Sequence, residues 1–131
     1  MLLIDSSAWI QHLKARDSLV GAAIARAVRQ EEAATTDQIA LELLAGTTDG
    51  VRLARWQSLL NACRFIPQRP FVDASAGARI YRTCRQAGET PRNVSDCLIA
   101  AIAIRSDMSV LHGDRDFDVI ARHSDLRAVR A

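Results

Sequence analysis

Two short apolar runs end on aspartate at opposite ends of the chain. One is Leu2-Leu3-Ile4-Asp5; the other is Ser109-Val110-Leu111-His112-Gly113-Asp114, which continues as Arg115-Asp116-Phe117-Asp118. If both runs are parallel strands of an open α/β sheet, their carboxylates sit at strand carboxyl ends, where ligands bind in such folds. Two acids brought together repel each other, and a cation between them resolves the repulsion. Glu42, within Ile39-Ala40-Leu41-Glu42-Leu43-Leu44, and Asp96, just before Cys97-Leu98-Ile99-Ala100, lie on segments that read as helices able to flank those strand ends. An all-oxygen set without histidine or cysteine ligands suits Mg2+ or Mn2+ rather than Zn2+. The usual chemistry of such a site is phosphodiester hydrolysis, in which the ion lowers the pKa of a water and neutralises charge on the phosphate.

Each acid also has a simpler explanation. Asp5 can cap the helix that follows it. Glu42 shares a helix face with Gln38, Ala45 and Gly46, which is compatible with solvent. Asp96 lies over Ile99, Ala100 and Ala103, and its first-turn position also complements the helix dipole. Asp114, Asp116 and Asp118 alternate like the start of a calcium loop, but that loop needs glycine at its sixth position and glutamate at its twelfth. Val119 and Asp125 stand there instead. Asp118 is expected as an ordinary helix-start acid. Taken together, the acids are better explained by one site than by separate roles.

The elements that must position them follow from spacing and punctuation. Residues 1–5, 33–36, 65–66, 109–112 and 126–129 read as strands. Ser6 or Ser7 caps a helix carrying Trp9, Ile10 and Leu13. Ser18 opens a helix to about residue 30, and Asp37 is an N-cap for residues 38–45, stopped by Gly46. Thr48 opens a helix on which Trp56, Leu59, Leu60 and Cys63 share one face. Further helices run from Asp73 or Ser75 to Gln86, ended by Gly88; from Asn93 or Ser95 to Arg105; and over residues 117–122. Strands alternating with helices predict an α/β fold: a three-layer sandwich around a mostly parallel sheet of four to five strands, in one domain covering residues 1–131.

Composition narrows the classes. The 131 residues carry a net charge of +2, too even a balance to argue nucleic-acid binding alone. Lys14 is the only lysine among 17 basic residues, and arginine suits bidentate phosphate contacts. Cys63, Cys84 and Cys97 are widely spaced with no Cys-x-x-Cys pair, which argues against a disulfide framework or zinc site and fits a reducing cytoplasm. Asp5 interrupts any signal-peptide core, and no apolar run approaches a membrane span, so no membrane role is expected.

Met1-Leu2-Leu3-Ile4-Asp5-Ser6-Ser7-Ala8-Trp9, Ile39 to Gly46, Asp96 to Ala103 and His112 to Asp118, in that order and spacing, resemble the four motifs of the PIN-domain ribonucleases, specifically the VapC toxins of toxin–antitoxin pairs. The resemblance covers nearly the whole chain. It implies that Asp5, Glu42, Asp96 and Asp114 are the catalytic and metal-binding quartet, with Asp116 a supporting acid. Ser6 stands where the family often has threonine, which keeps a hydroxyl for a neighbouring carboxylate. Further implications are Mg2+, with Mn2+ as a substitute; an RNA substrate, of transfer or ribosomal type; products with 5′-phosphate and 3′-hydroxyl ends; a VapB-type antitoxin; and a homodimer. Arg92, Arg105 and Arg115 lie near the acidic motifs and can meet phosphates, Arg92 and Arg115 being the preferred pair. Trp9 as a base-stacking ring and His112 as a site residue are weaker readings than packing roles. Two alternatives stay open: a structure-specific DNA nuclease of the flap-endonuclease-related type, and a non-catalytic module that kept the fold.

Overall fold

In the computed structural model, which describes residues 1–14 and 19–131, the chain runs β1 (Leu2–Ile4), α1 (Ser6–Lys14), α2 (Leu19–Arg29), β2 (Ala33–Thr35), α3 (Asp37–Ala45), α4 (Gly50–Asn61), β3 (Arg64–Phe65), α5 (Val72–Gln86), α6 (Val94–Arg105), β4 (Ser109–His112), α7 (Arg115–Arg122) and β5 (Ala128–Arg130). The strands form one wholly parallel sheet in the order β3-β2-β1-β4-β5. The first two crossovers carry the chain outward on one side of β1, and the next returns it to the other side. The order therefore reverses between β1 and β4, and that crevice opens at their carboxyl ends.

Leu3, Ile4, Val110 and Leu111 are buried in the two central strands, the near-continuous apolar run expected of a strand covered on both faces. Contacts link α1 to α2 and α3, and α3 to α4; a second set joins α5, α6 and α7. Right-handed crossovers require that division, because the direction of travel across the sheet changes at β4. The α6 helix is apolar all round, with Cys97, Ile99, Ala100, Ala101, Ile102 and Ala103 buried, and it packs closely along α5.

Most expected elements are present, with local corrections. The expected start at Ser18 lies outside the described residues. Asp37 is the first residue of α3 and not its cap; the preceding Thr36 spends its hydroxyl on Ile66 O across the sheet, at 2.7 Å. Gly46 ends α3 as expected, at φ −77° rather than in the left-handed region. Gly88, at φ +81°, is a left-handed stop, and the Glu89 N–H closes the turn on Cys84 O at 3.0 Å. The α4 helix starts at Gly50 rather than Thr48, because the Asp49 carboxylate accepts the Arg52 N–H at 2.8 Å. Strand β5 begins at Ala128, opposite Val110, while Leu126 plugs the core ahead of it. Among the described residues no helix is long and apolar enough to cross a membrane.

Candidate metal centre

The two aspartates at the ends of β1 and β4 occupy the same kind of turn. The Ser7 N–H donates to Asp5 Oδ2 at 3.0 Å, and the Asp116 N–H donates to Asp114 Oδ1 at 2.9 Å. Each acid thus caps the helix after its strand, as the simple explanation requires. Capping uses one oxygen of each. The Asp5 Oδ1 atom is buried with no hydrogen-bond partner in a residue only 3% exposed, and Asp96 Oδ2 is in the same position in a residue 5% exposed. An unpaired buried carboxylate oxygen is costly, so two of them in one place need a ligand to account for them.

They do share one place. A cleft of about 360 Å3 is lined by Asp5, Glu42, Asp96 and Asp114, together with Ser6, Ser7, Ile10, Asn93 and Ser95. Asp96, in the first turn of α6, offers an oxygen that lies within 4.8 Å of oxygens from Asp114 and Asp116. Glu42 does not face solvent as its helix wheel allows. Its Oε2 accepts from Ser6 Oγ at 2.7 Å and its Oε1 from Gln38 Nε2 at 3.2 Å, which fixes it against α1.

Burial pushes the Asp5 carboxyl above its ordinary pKa; hydrogen bonds from Ser7 oppose the rise and the charge of Glu42 adds to it. The Asp96 carboxyl is pushed up to about 8, first by burial and then by repulsion from Asp5, Asp114, Asp116 and Glu42. A cluster in that condition takes up a proton or a cation. Hard oxygen donors, two of them orphaned, fit a divalent ion of the Mg2+ or Mn2+ kind.

The supporting contacts come from three further residues. Asp116 is buried, and its Oδ2 accepts the N–H groups of Arg92 and Asn93 at 2.9 and 3.0 Å. It therefore braces the start of α6, and with it Asp96, from α7. Arg92 lies over the acids, with Nη2 3.5 Å from Asp114 Oδ1 and Nε 3.6 Å from Asp116 Oδ1. Ser7 Oγ donates to Asp5 Oδ2 and accepts the Gly113 N–H at 3.0 Å, tying the ends of β1 and β4 together. Sequence reasoning saw Ser7 and Asn93 only as helix caps, and gave Ser95, in the stretch before the third motif, little weight beyond that; their closeness to Asp5 and Asp96 was the available signal.

Other residues fall elsewhere. Arg105, at the far end of α6, pairs with buried Asp73 at 2.8 Å and donates to Pro67 O, so it is not at the acids. Asp118 pairs with Arg130 and approaches His112, which is buried against the Phe117 ring. Trp9 is fully buried edge-on to Trp56, unavailable for stacking on a base. Arg115 is exposed in the first turn of α7.

A family model described as the PIN domain matches residues 2–123. Ribonuclease VapC11 of Mycobacterium tuberculosis and VapC ribonuclease Mb1587 of Mycobacterium bovis are each 41% identical over 130 residues, covering 98% of this chain and 97% of theirs. Among solved structures, FitAcB from Neisseria gonorrhoeae superposes with a TM-score of 0.76 at 20% identity, covering 98% of this chain and 96% of that one. VapBC2 from Rickettsia felis, bound to a DNA fragment from its promoter, does so with a TM-score of 0.74 at 15% identity, covering 99% and 98%. The parallel five-stranded sheet and the acids at its switch point are thus found in a chain that belongs to the PIN-domain family, in its VapC branch.

Proposed function

We propose that the chain is a metal-dependent endoribonuclease, the toxin of a VapBC-type toxin–antitoxin pair. The observation that carries the reading is the convergence of Asp5, Glu42, Asp96 and Asp114 on one cleft, with a buried, partnerless oxygen on both Asp5 and Asp96. The 41% identity to VapC ribonucleases supports RNA as the substrate and a VapB-type antitoxin as the partner. A homodimer and a cytoplasmic setting belong to the same reading, and three unpaired thiols fit a reducing compartment.

Asp5, Asp96 and Asp114 would hold Mg2+ or Mn2+, with Glu42 completing the acidic set. When bound, such an ion supplies Lewis-acid stabilisation of phosphate charge and makes water a usable nucleophile near neutral pH. The protein's own contribution is positioning. Ser7 keeps the two strand ends in register, Ser6 and Gln38 fix the Glu42 carboxylate, and Asp116 seats the first turn of α6. Asn93 and Ser95 line the cleft as donors for a phosphate oxygen, and Arg92 offers positive charge beside it. Hydrolysis in line leaves a 5′-phosphate on one product and a 3′-hydroxyl on the other.

The test is cleavage of RNA and DNA hairpins by purified protein in Mg2+ or Mn2+, with the Asp96→Asn variant alongside. RNA is cut by the wild type and not by the variant, whose circular dichroism is unchanged. Near-wild-type activity of the variant, or cleavage of DNA alone, rejects the proposal.

A further inference from the structure

The carboxylates of Asp5 and Asp114 cap their helices alike, but their backbone amides are not held alike. The Asp5 N–H donates to Leu111 O at 3.0 Å, an ordinary bond of the sheet. The last registered pair of β4 with β5 is His112 with Arg130, so the Asp114 N–H lies beyond that ladder. Its acceptor is a side chain: His112 Nδ1 stands 3.2 Å away. His112 is fully buried at the end of a strand whose preceding residues, Val110 and Leu111, are apolar. Its ring packs against Phe117 with centroids 5.3 Å apart, a contact that leucine could make without burying two ring nitrogens. One of those nitrogens is accounted for by Asp114. The other, Nε2, has no hydrogen-bond partner among the described residues and faces Asp118 Oδ1 at 3.4 Å. Asp118 in turn is paired through its second oxygen with Arg130 of β5.

We infer that His112 is a positioning residue for Asp114: its imidazole carries a proton on Nε2 only, turned towards Asp118, while its Nδ1 grips the Asp114 N–H and so sets how the Asp114 carboxylate enters the cleft. The inference rests on the metal-dependent reading and names what orients one of its ligands. A ring nitrogen that accepts a backbone N–H carries no proton, which leaves the proton on Nε2. At 3.4 Å the Asp118 carboxylate is too far for a short hydrogen bond, yet its charge favours a proton on the nitrogen that faces it. With its amide on His112 and its Oδ1 on the Asp116 N–H, Asp114 is restrained at both ends. Its remaining oxygen is then presented in one direction before any ion arrives, which is what an outer hydrogen-bond partner contributes to a metal ligand. Arg130, Asp118 and His112 thereby connect the edge strand β5 to the cleft. Asp118 gains a use beyond that of a helix-start acid.

The first measurement needs no variant. In EDTA at neutral pH, a long-range proton–nitrogen correlation spectrum of the histidine rings is expected to show His112 as the Nε2–H tautomer. The Nδ1–H tautomer, or a ring protonated on both nitrogens, overturns the inference. The second measurement is Mn2+ affinity, read from the electron paramagnetic resonance of the free ion, for the wild type, His112→Phe and His112→Asn, each checked by near-UV circular dichroism. Phenylalanine keeps a ring against Phe117 but offers no acceptor. Asparagine packs worse, yet its Oδ1 can take the place of Nδ1. Affinity is expected to fall about tenfold or more in His112→Phe and to recover for the most part in His112→Asn. A packing role predicts the reverse order, with affinity following the melting temperature in EDTA. Wild-type affinity in His112→Phe, or no recovery in folded His112→Asn, overturns the inference. A wild type that binds no Mn2+ rejects the metal-dependent reading instead, and the tautomer then decides whether His112 holds Asp114.

Discussion

Asp96 holds a carboxyl whose ionisation is opposed by burial and by four neighbouring acids, and its pKa of about 8 lies far above the ordinary value of 3.8. The folded protein without metal therefore keeps a proton on Asp96 that the unfolded chain releases. Its stabilising effect is complete below the unfolded value and is lost as pH rises through about 8. Asparagine imitates the protonated acid at every pH. In EDTA, Asp96→Asn is expected to melt above the wild type by a margin that widens from about pH 5 to about pH 9; a constant difference across that range contradicts the argument. Calorimetry with Mn2+ has the matching sign: the ion displaces the proton, so affinity climbs as pH rises and levels off above about 8. The acids were legible in the sequence because a carboxylate closing an apolar strand, or heading an apolar helix, is anomalous where it stands. Ser7 and Asn93 were not, because a serine or asparagine beside a helix start has an ordinary use as a cap. Only the fold shows Ser7 Oγ reaching Gly113, over a hundred residues away, at 3.0 Å.

At the scale of elements, the site depends on how α6 is held, since its first turn carries Asp96. At its far end the Arg105 guanidinium meets Asp73, which is almost wholly buried in the first turn of α5. Burial opposes ionisation of Asp73, but the Arg105 hydrogen bonds and the Arg69 N–H outweigh it and bring its pKa below the ordinary value. Arg105→Met strands that carboxylate in the interior and is expected to cost about 3 kcal/mol in urea denaturation. Were Arg105 a phosphate ligand at the surface, the same change would cost little stability. Along the same pair of helices, a Cβ on Gly77 would lie 3.1 Å from Leu98 N and 3.2 Å from Cys97 O, both backbone atoms that cannot swing aside. Alanine gains about 1 kcal/mol of helix propensity over glycine, yet overpacking costs about 1–3 kcal/mol. Gly77→Ala is therefore expected to be destabilising, and to lower activity by moving α6 and Asp96 away from Asp114. A neutral or higher melting temperature would show that the two helices are free to separate. Helices were legible because their apolar faces repeat. The edge strands were less so: β3 is two exposed residues and β5 three residues of which two are exposed, and both exist through pairing with β2 and β4 rather than through any pattern of their own.

On the scale of the whole molecule, the reversal of strand order between β1 and β4 brings the first and last thirds of the chain together at one crevice, and both sides arrive with negative charge. Backbone pairing of β1 with β4 and the Ser7 bridge to Gly113 hold the two sides against that repulsion. A divalent ion bound between Asp5, Asp96 and Asp114 would act in the same direction and would have no comparable site in the unfolded chain. Binding to the folded state alone stabilises by mass action, by about 2.7 kcal/mol at a hundredfold excess over Kd. For a domain of this size that is a rise in melting temperature of about 10 °C. The rise should be seen with Mn2+ or Mg2+ by calorimetry or near-UV circular dichroism, and should vanish in Asp96→Asn and Asp114→Asn. At about pH 9 Mn2+ should therefore narrow the gap by which Asp96→Asn outlasts the wild type in EDTA. A cleft shaped merely by helix capping predicts neither the rise nor the narrowing, because both Asp5 and Asp114 complete their caps with one oxygen and no ion. A wild type whose melting temperature ignores the ion would leave the orphaned oxygens of Asp5 and Asp96 as uncompensated burial, and would remove the physical basis for the metal-dependent reading.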